Sequence, residues 1–351
     1  SITTMISGRH VIVGGAGSLG VHLQRALLGH GGALSNISVV DRMESHKPGR
    51  IVDKSVDFFA HDLGEDSISS LKKALQGADT VYSMVTPDVE LGSKRDFLHT
   101  NQIGVGHLLE ACKQVGVNKL VYVSSIATTN HFVASVNQNE QDPLPPIETY
   151  QSYYDISKRK GEELVLDAND DGKLHTCAIR VGGIIAEPKD YLFRNTFATP
   201  GRVVTIAGEH IDFISARDLT RALIKASAKL DETNSALAGQ PLFVTKSKSE
   251  ISPRTFELAE MCADILGWKK TRLSPTFVSV IRGAQRWGHR AFVSKNDESA
   301  PGVPPHMWMD IVNYEQTFDN SLARTMLDFE PEETWEQAVE IIVKDYRNQN
   351  P

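Results

Sequence analysis

Tyr154 and Lys158 are the side chains of this sequence best placed to do chemistry together. The segment around them, Gln151-Ser152-Tyr153-Tyr154-Asp155-Ile156-Ser157-Lys158-Arg159-Lys160-Gly161-Glu162-Glu163-Leu164, has no proline and ends in helix formers, so it reads as a helix. Positions four apart share a helix face, which sets the phenol beside the ammonium. A phenol ionises near pH ~10 and is a poor base at neutral pH. A cation held close favours the phenolate and is expected to lower that pKa. The pair could therefore move a proton on an alcohol or a ketone. Of the eight tyrosines, only Tyr154 has a lysine four residues on. Chance can also set a tyrosine and a lysine on a solvated helix face, so the weight falls on the elements that must position them.

His10-Val11-Ile12-Val13 is a short apolar run ending in Gly14-Gly15-Ala16-Gly17-Ser18-Leu19-Gly20. Val21 to Leu28 then carries apolar residues at helical spacing. Strand, glycine turn and helix form a dinucleotide-binding start. Gly14 permits the tight turn, Gly17 the approach of a pyrophosphate, and Gly20 close packing of the helix. The helix N-terminus would receive the phosphates. Glycine turns are common, and the next strand adds specificity. Ile37-Ser38-Val39-Val40-Asp41 ends in an acid about 20 residues past the last glycine, where a ribose-binding carboxylate is expected. Asp41 would accept from the 2′-hydroxyl and repel a 2′-phosphate, favouring NAD over NADP. Arg42 beside it weakens that preference, and the alternative for Asp41 is a plain turn residue.

Further strands are expected at 57–60, 79–85, 119–123 and 174–180, with helices at 67–75 and 97–113 between them. This alternation predicts an α/β fold with a doubly wound, parallel, Rossmann-type sheet and a smaller, mostly helical C-terminal substrate lobe. Residues 1–180 would form the cofactor domain, with 203–245 partly returning to it, and 181–202 and 246–351 the substrate lobe. Ligands in such sheets bind at the carboxyl ends of strands, where the glycine turn, Asp62, residues 83–86, Ser124 and Ser125 fall. Serines there are also ordinary turn formers. Residues 203–206 and 211–214 flank a Gly-Glu turn and read as a hairpin. The polar, proline-containing loop at 130–149 either covers the site or is a solvated connector.

All four tryptophans, Trp268, Trp287, Trp308 and Trp335, lie in the last third, which would suit a bulky apolar substrate. Each taken singly is as readily an ordinary core or surface aromatic. On the helix expected over 277–293, Arg282, Arg286 and Arg290 form one stripe, with Phe277, Ile281, Ala284, Ala291 and Phe292 opposite. The apolar face is expected to pack on the protein, with at most a peripheral membrane contact as the alternative.

Composition excludes several classes. The chain has 351 residues, 23% of them charged, and a net charge of -7, the opposite of a nucleic-acid-binding balance. Cys112, Cys177 and Cys262 are far apart and odd in number, so no disulfide framework or zinc spacing can be built. The twelve histidines show no ligand-like pairing, and no metal is expected. No signal sequence and no run long enough to cross a bilayer is read, which leads to the expectation of an intracellular, cytoplasmic protein. Ser1 in place of Met reads as a trimmed start.

Taken together, the residues resemble the extended short-chain dehydrogenases. The motifs are Gly14-x-x-Gly17-x-x-Gly20, Asp62-Leu63, Asn101 ahead of Leu109-Glu110-Ala111-Cys112, Ser124-Ser125, and Tyr154-x-x-x-Lys158. Thr176-Cys177-Ala178-Ile179-Arg180, Asp212 to Leu219, and Phe318-Asp319-Asn320-Ser321-Leu322-Ala323 make the likeness closer to the 3β-hydroxysteroid dehydrogenase branch, sterol-4α-carboxylate 3-dehydrogenases included. Departures are Val13 for Thr, Ser83 for His, Val181 for Pro, and Gly183-Ile184-Ile185-Ala186 for a Gly-Ile-Tyr-Gly-like stretch. The last two lie on the nicotinamide and substrate side and bear on the substrate more than on the chemistry.

The resemblance implies Ser125, Tyr154 and Lys158 as the catalytic set. It implies cofactor contacts from Gly14, Gly17, Ser18, Leu19, Gly20, Asp41, Arg42, Asp62, Leu63, Val85, Asn101, Ser124 and Val181, together with Tyr154 and Lys158. Thr86, Ser125 and Ile185 are the expected substrate contacts. The expected reaction is NAD-dependent oxidation of a secondary alcohol on a bulky apolar substrate such as a 3β-hydroxysterol or terpenoid, followed by loss of CO₂ where a carboxylate adjoins the new ketone. The resemblance also implies a homodimer and, for a steroid-branch protein, a peripheral place at the endoplasmic reticulum surface. Rival readings are an NADP-dependent carbonyl reductase or isomerase of specialised metabolism, a nucleotide-sugar epimerase, and a non-catalytic cofactor-binding protein.

Overall fold

Seven short runs, most of them rich in β-branched residues, form the central sheet of the computed structural model, which describes residues 8–29, 37–43, 46–47, 49–53, 55–129, 131–170, 172–249, 251–294 and 297–350. In chain order they are β1 (His10–Val13), β2 (Ile37–Asp41), β3 (Asp57–Ala60), β4 (Thr80–Ser83), β5 (Lys119–Val123), β6 (His175–Val181) and β7 (Gln240–Val244). All neighbours are parallel, and the order across the sheet is β7-β6-β5-β4-β1-β2-β3. The order reverses between β1 and β4, which opens a crevice at their carboxyl ends. β1, β2, β4 and β5 are buried along their whole length, as expected of parallel strands covered on both faces.

The covering helices, in chain order, are α1 (Ser18–Gly29), α2 (Ile68–Leu75), α3 (Val105–Val115), α4 (Tyr153–Asp167) and α5 (Ala216–Lys229). Leu23 and Leu27 of α1 and Leu219, Leu223 and Ala226 of α5 pack on Ile12, Val39 and Val121. On the other face Leu71, Leu108 and Val165 of α2, α3 and α4 pack on Val11, Val13 and Val81. A separate apolar cluster, Phe193, Phe197, Phe213, Leu258, Val339 and Ile342, forms the heart of the lobe around α6 (Thr255–Leu266).

The helix expected over 97–113 is a helical path with a defect in it. Lys94–Leu98, capped by Ser93, runs into a π turn at His99–Gly104 before α3 begins. Gly104 is pressed so closely on Leu63 that a Cβ there would meet the Leu63 Cβ at 2.8 Å.

Two expectations are corrected by the fold. Residues 203–206 and 211–214 do not form a hairpin. Arg202–Thr205 pairs in parallel with Lys269–Arg272, and Phe213–Ser215 pairs in parallel with Gly183–Ile185. The link between them is held elsewhere: Glu209 N–H donates to Val312 O at 2.7 Å, and Gly208 lies against Thr255.

The second correction concerns α7 (Pro275–Phe292), where Arg282 and Arg286 are tied to the protein by an ion pair and much of the apolar face is left outward. Arg282 and Arg286 both reach Asp310 at 3.0 Å, while Phe277, Val280 and Trp287 are 52%, 65% and 69% exposed. A carboxylate waiting on the protein side outweighs the hydrophobic preference of that face. The side chains of Arg290 and Phe292 lie outside the described residues. Among the described residues no helix is long and apolar enough to cross a membrane.

The loop after β5 is tied down. Its Ser135–Gln138 segment pairs in parallel with Gln316–Phe318. The late motifs serve the same joint. Fully buried Asp212 accepts from Thr245 Oγ1 at 2.8 Å and Phe318 N–H at 2.9 Å, and Asn320 Oδ1 accepts from Thr245 N–H at 2.7 Å.

Candidate active site

One cavity of about 780 Å³ runs along the carboxyl edge of the sheet from the glycine turn to Tyr154 and on into the lobe. At its first end Gly14 has φ 83°, and a Cβ there would meet Val85 N at 2.7 Å. Gly17 is exposed, yet an added Cβ would meet Gly14 O at 3.2 Å, while Gly20 abuts Gly15 with 2.3 Å to its carbonyl oxygen for an added Cβ. Gly15, to which the motif spacing assigns no role, is equally confined, since a Cβ would meet Val39 at 2.8 Å. The N-terminus of α1 therefore faces the cavity across bare glycine backbone, with Asp190 bonded to Ser18 at its edge; the helix N-terminus itself suits an anion.

Asp41 closes the end of β2 against this turn. Its carboxylate accepts from Ala16 N–H at 3.0 Å and from Arg42 N–H at 2.8 Å. Arg42 is exposed. Asp62 accepts from Gly64 N–H at 2.9 Å, and Leu63 is buried beneath it. Asn101 sits in the π turn, where its amide donates to Ser157 Oγ at 3.0 Å and its carbonyl backs onto Gly161 of α4. These residues, with Val85, stand behind or beside the cavity. Gly14, Gly17, Ser18, Leu19, Gly20, Thr86, Ser124, Ser125, Tyr154, Lys158 and Val181 line it. Ile185, an expected substrate contact, is buried in the lobe cluster with Phe193 and Phe213 and does not line it.

At the centre α4 begins after Ser152, whose hydroxyl accepts from Asp155 N–H at 3.3 Å. The helix presents Tyr154 and Lys158 on one face, as the spacing predicts, and both are buried. Ser125, in the turn after β5, hydrogen-bonds the Tyr154 phenol. The ring of Tyr154 is wedged edge-on against Phe97 at 5.5 Å and parallel to His131 at 6.1 Å. Lys158 Nζ donates to Val123 O at 2.9 Å and lies 5.0 Å from the Tyr122 ring centroid.

The charge balance differs from the sequence expectation. Burial pushes Tyr154 up to about 12; the hydrogen bond with Ser125 offsets part of this and the Asp155 charge adds to it. The ammonium of Lys158, turned to a backbone carbonyl, does not bring the phenol down. Burial lowers Lys158 itself to about 8, partly offset by Glu162. At neutral pH Tyr154 is thus a phenol, a donor aimed into the cavity, beside a lysine that still holds its charge.

Three groups lay outside the sequence reading. Ser124 Oγ donates to Glu162 Oε2 at 2.6 Å, and Glu162 is paired with Arg180 at 2.7 Å in full burial. Ser18, at the start of α1, bonds Asp190, with Glu187 at 3.3 Å and Arg50 pairing Glu187 at 2.9 Å. His131 Nδ1 lies 3.2 Å from Asp155 Oδ1. Partners 18 to 172 residues apart leave no periodic trace in sequence. Of the four tryptophans only Trp308 lines the cavity; Trp268 packs edge-on in the lobe against Phe197 and Tyr346.

A nicotinamide dinucleotide fits these residues: a helix N-terminus reached across bare glycine backbone, an Asp41 carboxylate at the second strand end, and a Thr86 hydroxyl that lines the cavity buried and without a partner. The comparisons agree with the architecture. A solved structure of MoeE5 in complex with UDP-glucuronic acid and NAD has a TM-score of 0.71 at 22% identity, covering 97% of this chain and 100% of that one, a likeness of fold. The "Sterol-4-alpha-carboxylate 3-dehydrogenase, decarboxylating" of Homo sapiens is 29% identical over 68% of this chain. That match spans only 62% of the human protein's own length. A "3 beta-hydroxysteroid dehydrogenase/Delta 5-->4-isomerase" of Mycobacterium tuberculosis is 28% identical over 97% of this chain and 90% of its own. The family model for the 3-beta hydroxysteroid dehydrogenase/isomerase family matches residues 11–273, most of the chain, and the protein belongs to that family.

Proposed function

We propose that the protein is a nicotinamide-dependent oxidoreductase acting on a CH–OH group, and that it oxidises a secondary alcohol on a bulky, cyclic, apolar substrate of the 3β-hydroxysterol or terpenoid kind. The observation that carries this reading is the placement of the Ser125–Tyr154 pair in one cavity with the open glycine turn. Names of relatives that act on sterols support it.

Gly14, Gly17, Ser18 and the N-terminus of α1 would hold the diphosphate, Asp41 the adenosine ribose, and Lys158 the nicotinamide ribose. When bound, the nicotinamide supplies the acceptor for the hydride that leaves the carbinol carbon. Ser125 orients the substrate oxygen, and Tyr154 carries the proton on that oxygen in either direction. Apolar Phe132, Val303, Met307 and Trp308 would enclose the ring system and exclude water. A carboxylate next to the new ketone would be lost as CO₂, since the resulting carbanion is an enolate. Asp41 favours NAD. The outward apolar residues of α7 support a peripheral contact with a lipid surface as part of the same reading.

A second reading, carbonyl reduction with NADP, draws on the high Tyr154 pKa, which makes the phenol a ready donor to a ketone oxygen, and on exposed Arg42. A screen of 3β-hydroxysterols, 4-carboxysterols and terpenoid alcohols and ketones with all four cofactor forms tests both. Net reduction of NAD by a sterol alcohol is the expected result. Turnover confined to NADPH and ketones would favour the second reading, and turnover of none would refute both.

A further inference from the structure

We propose that His131, oriented by Asp155, is a second proton-transfer group of this cavity, acting on carbon beside the substrate carbonyl. The inference rests on the reading that the cavity takes a cyclic alcohol or ketone. His131 lines the cavity with its side chain 13% exposed. Its backbone N–H donates to Asp155 Oδ2 at 3.0 Å, and its ring Nδ1 faces Asp155 Oδ1 at 3.2 Å. Asp155 is 1% exposed and fixed at the start of α4, so one carboxylate holds His131 by its backbone and by its ring.

A carboxylate at Nδ1 selects the tautomer with its proton there and leaves the lone pair on Nε2, at the opposite edge of the ring. The ring is parallel to Tyr154, 7° between planes and 6.1 Å between centroids. Two acid–base groups therefore stand side by side on one wall. With reach of about 3 Å from each, a carbonyl oxygen and the hydrogen on the neighbouring carbon fit between them.

The division of labour follows from the protonation states. Tyr154 at about 12 keeps its proton and donates a hydrogen bond to the carbonyl oxygen. Nε2 of His131 takes the proton from the α-carbon. The C–H electron pair becomes the C=C bond, and the carbonyl π pair moves to oxygen. In the reverse step the imidazolium returns a proton to that carbon. No oxidant or co-reactant enters. The same return step would supply the proton that an enolate left by loss of CO₂ requires.

The test is hydrogen exchange in D₂O with cyclohexanone and NAD, read as deuterium at the α-carbons by mass spectrometry. Cyclohexanone is small enough to enter whatever the natural substrate is, and NAD cannot reduce it. The wild-type chain should exchange well above buffer. His131→Phe and His131→Asn should lower this at least tenfold, with NADH binding followed by fluorescence as the check on folding. Asp155→Asn should lower the ratio of exchange to alcohol oxidation, which a general loosening of α4 would not. Wild-type exchange at the buffer rate, or exchange unmoved in both His131 variants, overturns the proposal. Absence of turnover in the sterol screen with intact exchange would instead count against the sterol reading alone.

Discussion

Tyr154, Ser125 and Lys158 meet where residue types and spacing place them, because a four-residue interval on a helix and a strand-end serine are local properties. The direction of the Tyr154 shift is not local. It depends on burial against Phe97 and His131, which the fold alone supplies. The Glu162–Arg180 pair is equally hidden from sequence. Both partners are buried, with Ser124 on the second carboxylate oxygen. Arg180→Met should therefore cost about 3–5 kcal/mol in urea unfolding, since it leaves a buried carboxylate unpaired. Adding Glu162→Leu should recover much of that loss. A double variant no more stable than the single one would show that the pair is not what holds this end of α4. His131 and Asp155 escaped the sequence reading for the same reason, 24 residues apart with no period to link them.

At the scale of elements, the strands of the sheet were legible because parallel strands buried on both faces are unbroken apolar runs. The segments 203–206 and 211–214 were not, because both find distant parallel partners and a turn signal between them misleads. The link after Gly183–Ile185 brings Asp190 and Glu187 to the N-terminus of α1, beside the proposed diphosphate position. Burial, opposed by the bond from Ser18, raises Asp190 to about 6. Its charge is thus present above about pH 6 and is lost as pH falls through that value. A carboxylate there repels a diphosphate, so NADH should bind several-fold more tightly at pH 5.5 than at pH 7.5. Asp190→Asn should bind tightly at both. Fluorescence titration measures this, and equal pH dependence in the two proteins would remove Asp190 from the account.

At the scale of the molecule, the sheet and the lobe are joined through Asp212 and Asn320, residues that the family resemblance picked out without a role. They hold the two walls of one cavity together. α7 stands apart from this joint, Arg282 and Arg286 spent on Asp310 and Phe277, Val280 and Trp287 outward. Its helical period was readable from the sequence, but which side faces out depended on Asp310, 24 residues beyond Arg286. If this face meets lipid, the chain should co-sediment with phosphatidylcholine–phosphatidylserine vesicles, and Trp287→Asp with Phe277→Asp should abolish that at unchanged melting temperature. A wild-type chain that stays in the supernatant would leave the face without a lipid role.

The central claim is that Tyr154 carries the proton on the substrate oxygen. Tyr154→Phe removes the hydroxyl and keeps the ring packed against Phe97 and His131. Its turnover of the best alcohol from the screen should fall by at least ~10²-fold, the lower range for loss of a positioned acid–base group, while NADH binding by fluorescence is kept. Turnover within a few-fold of the wild type would contradict the account.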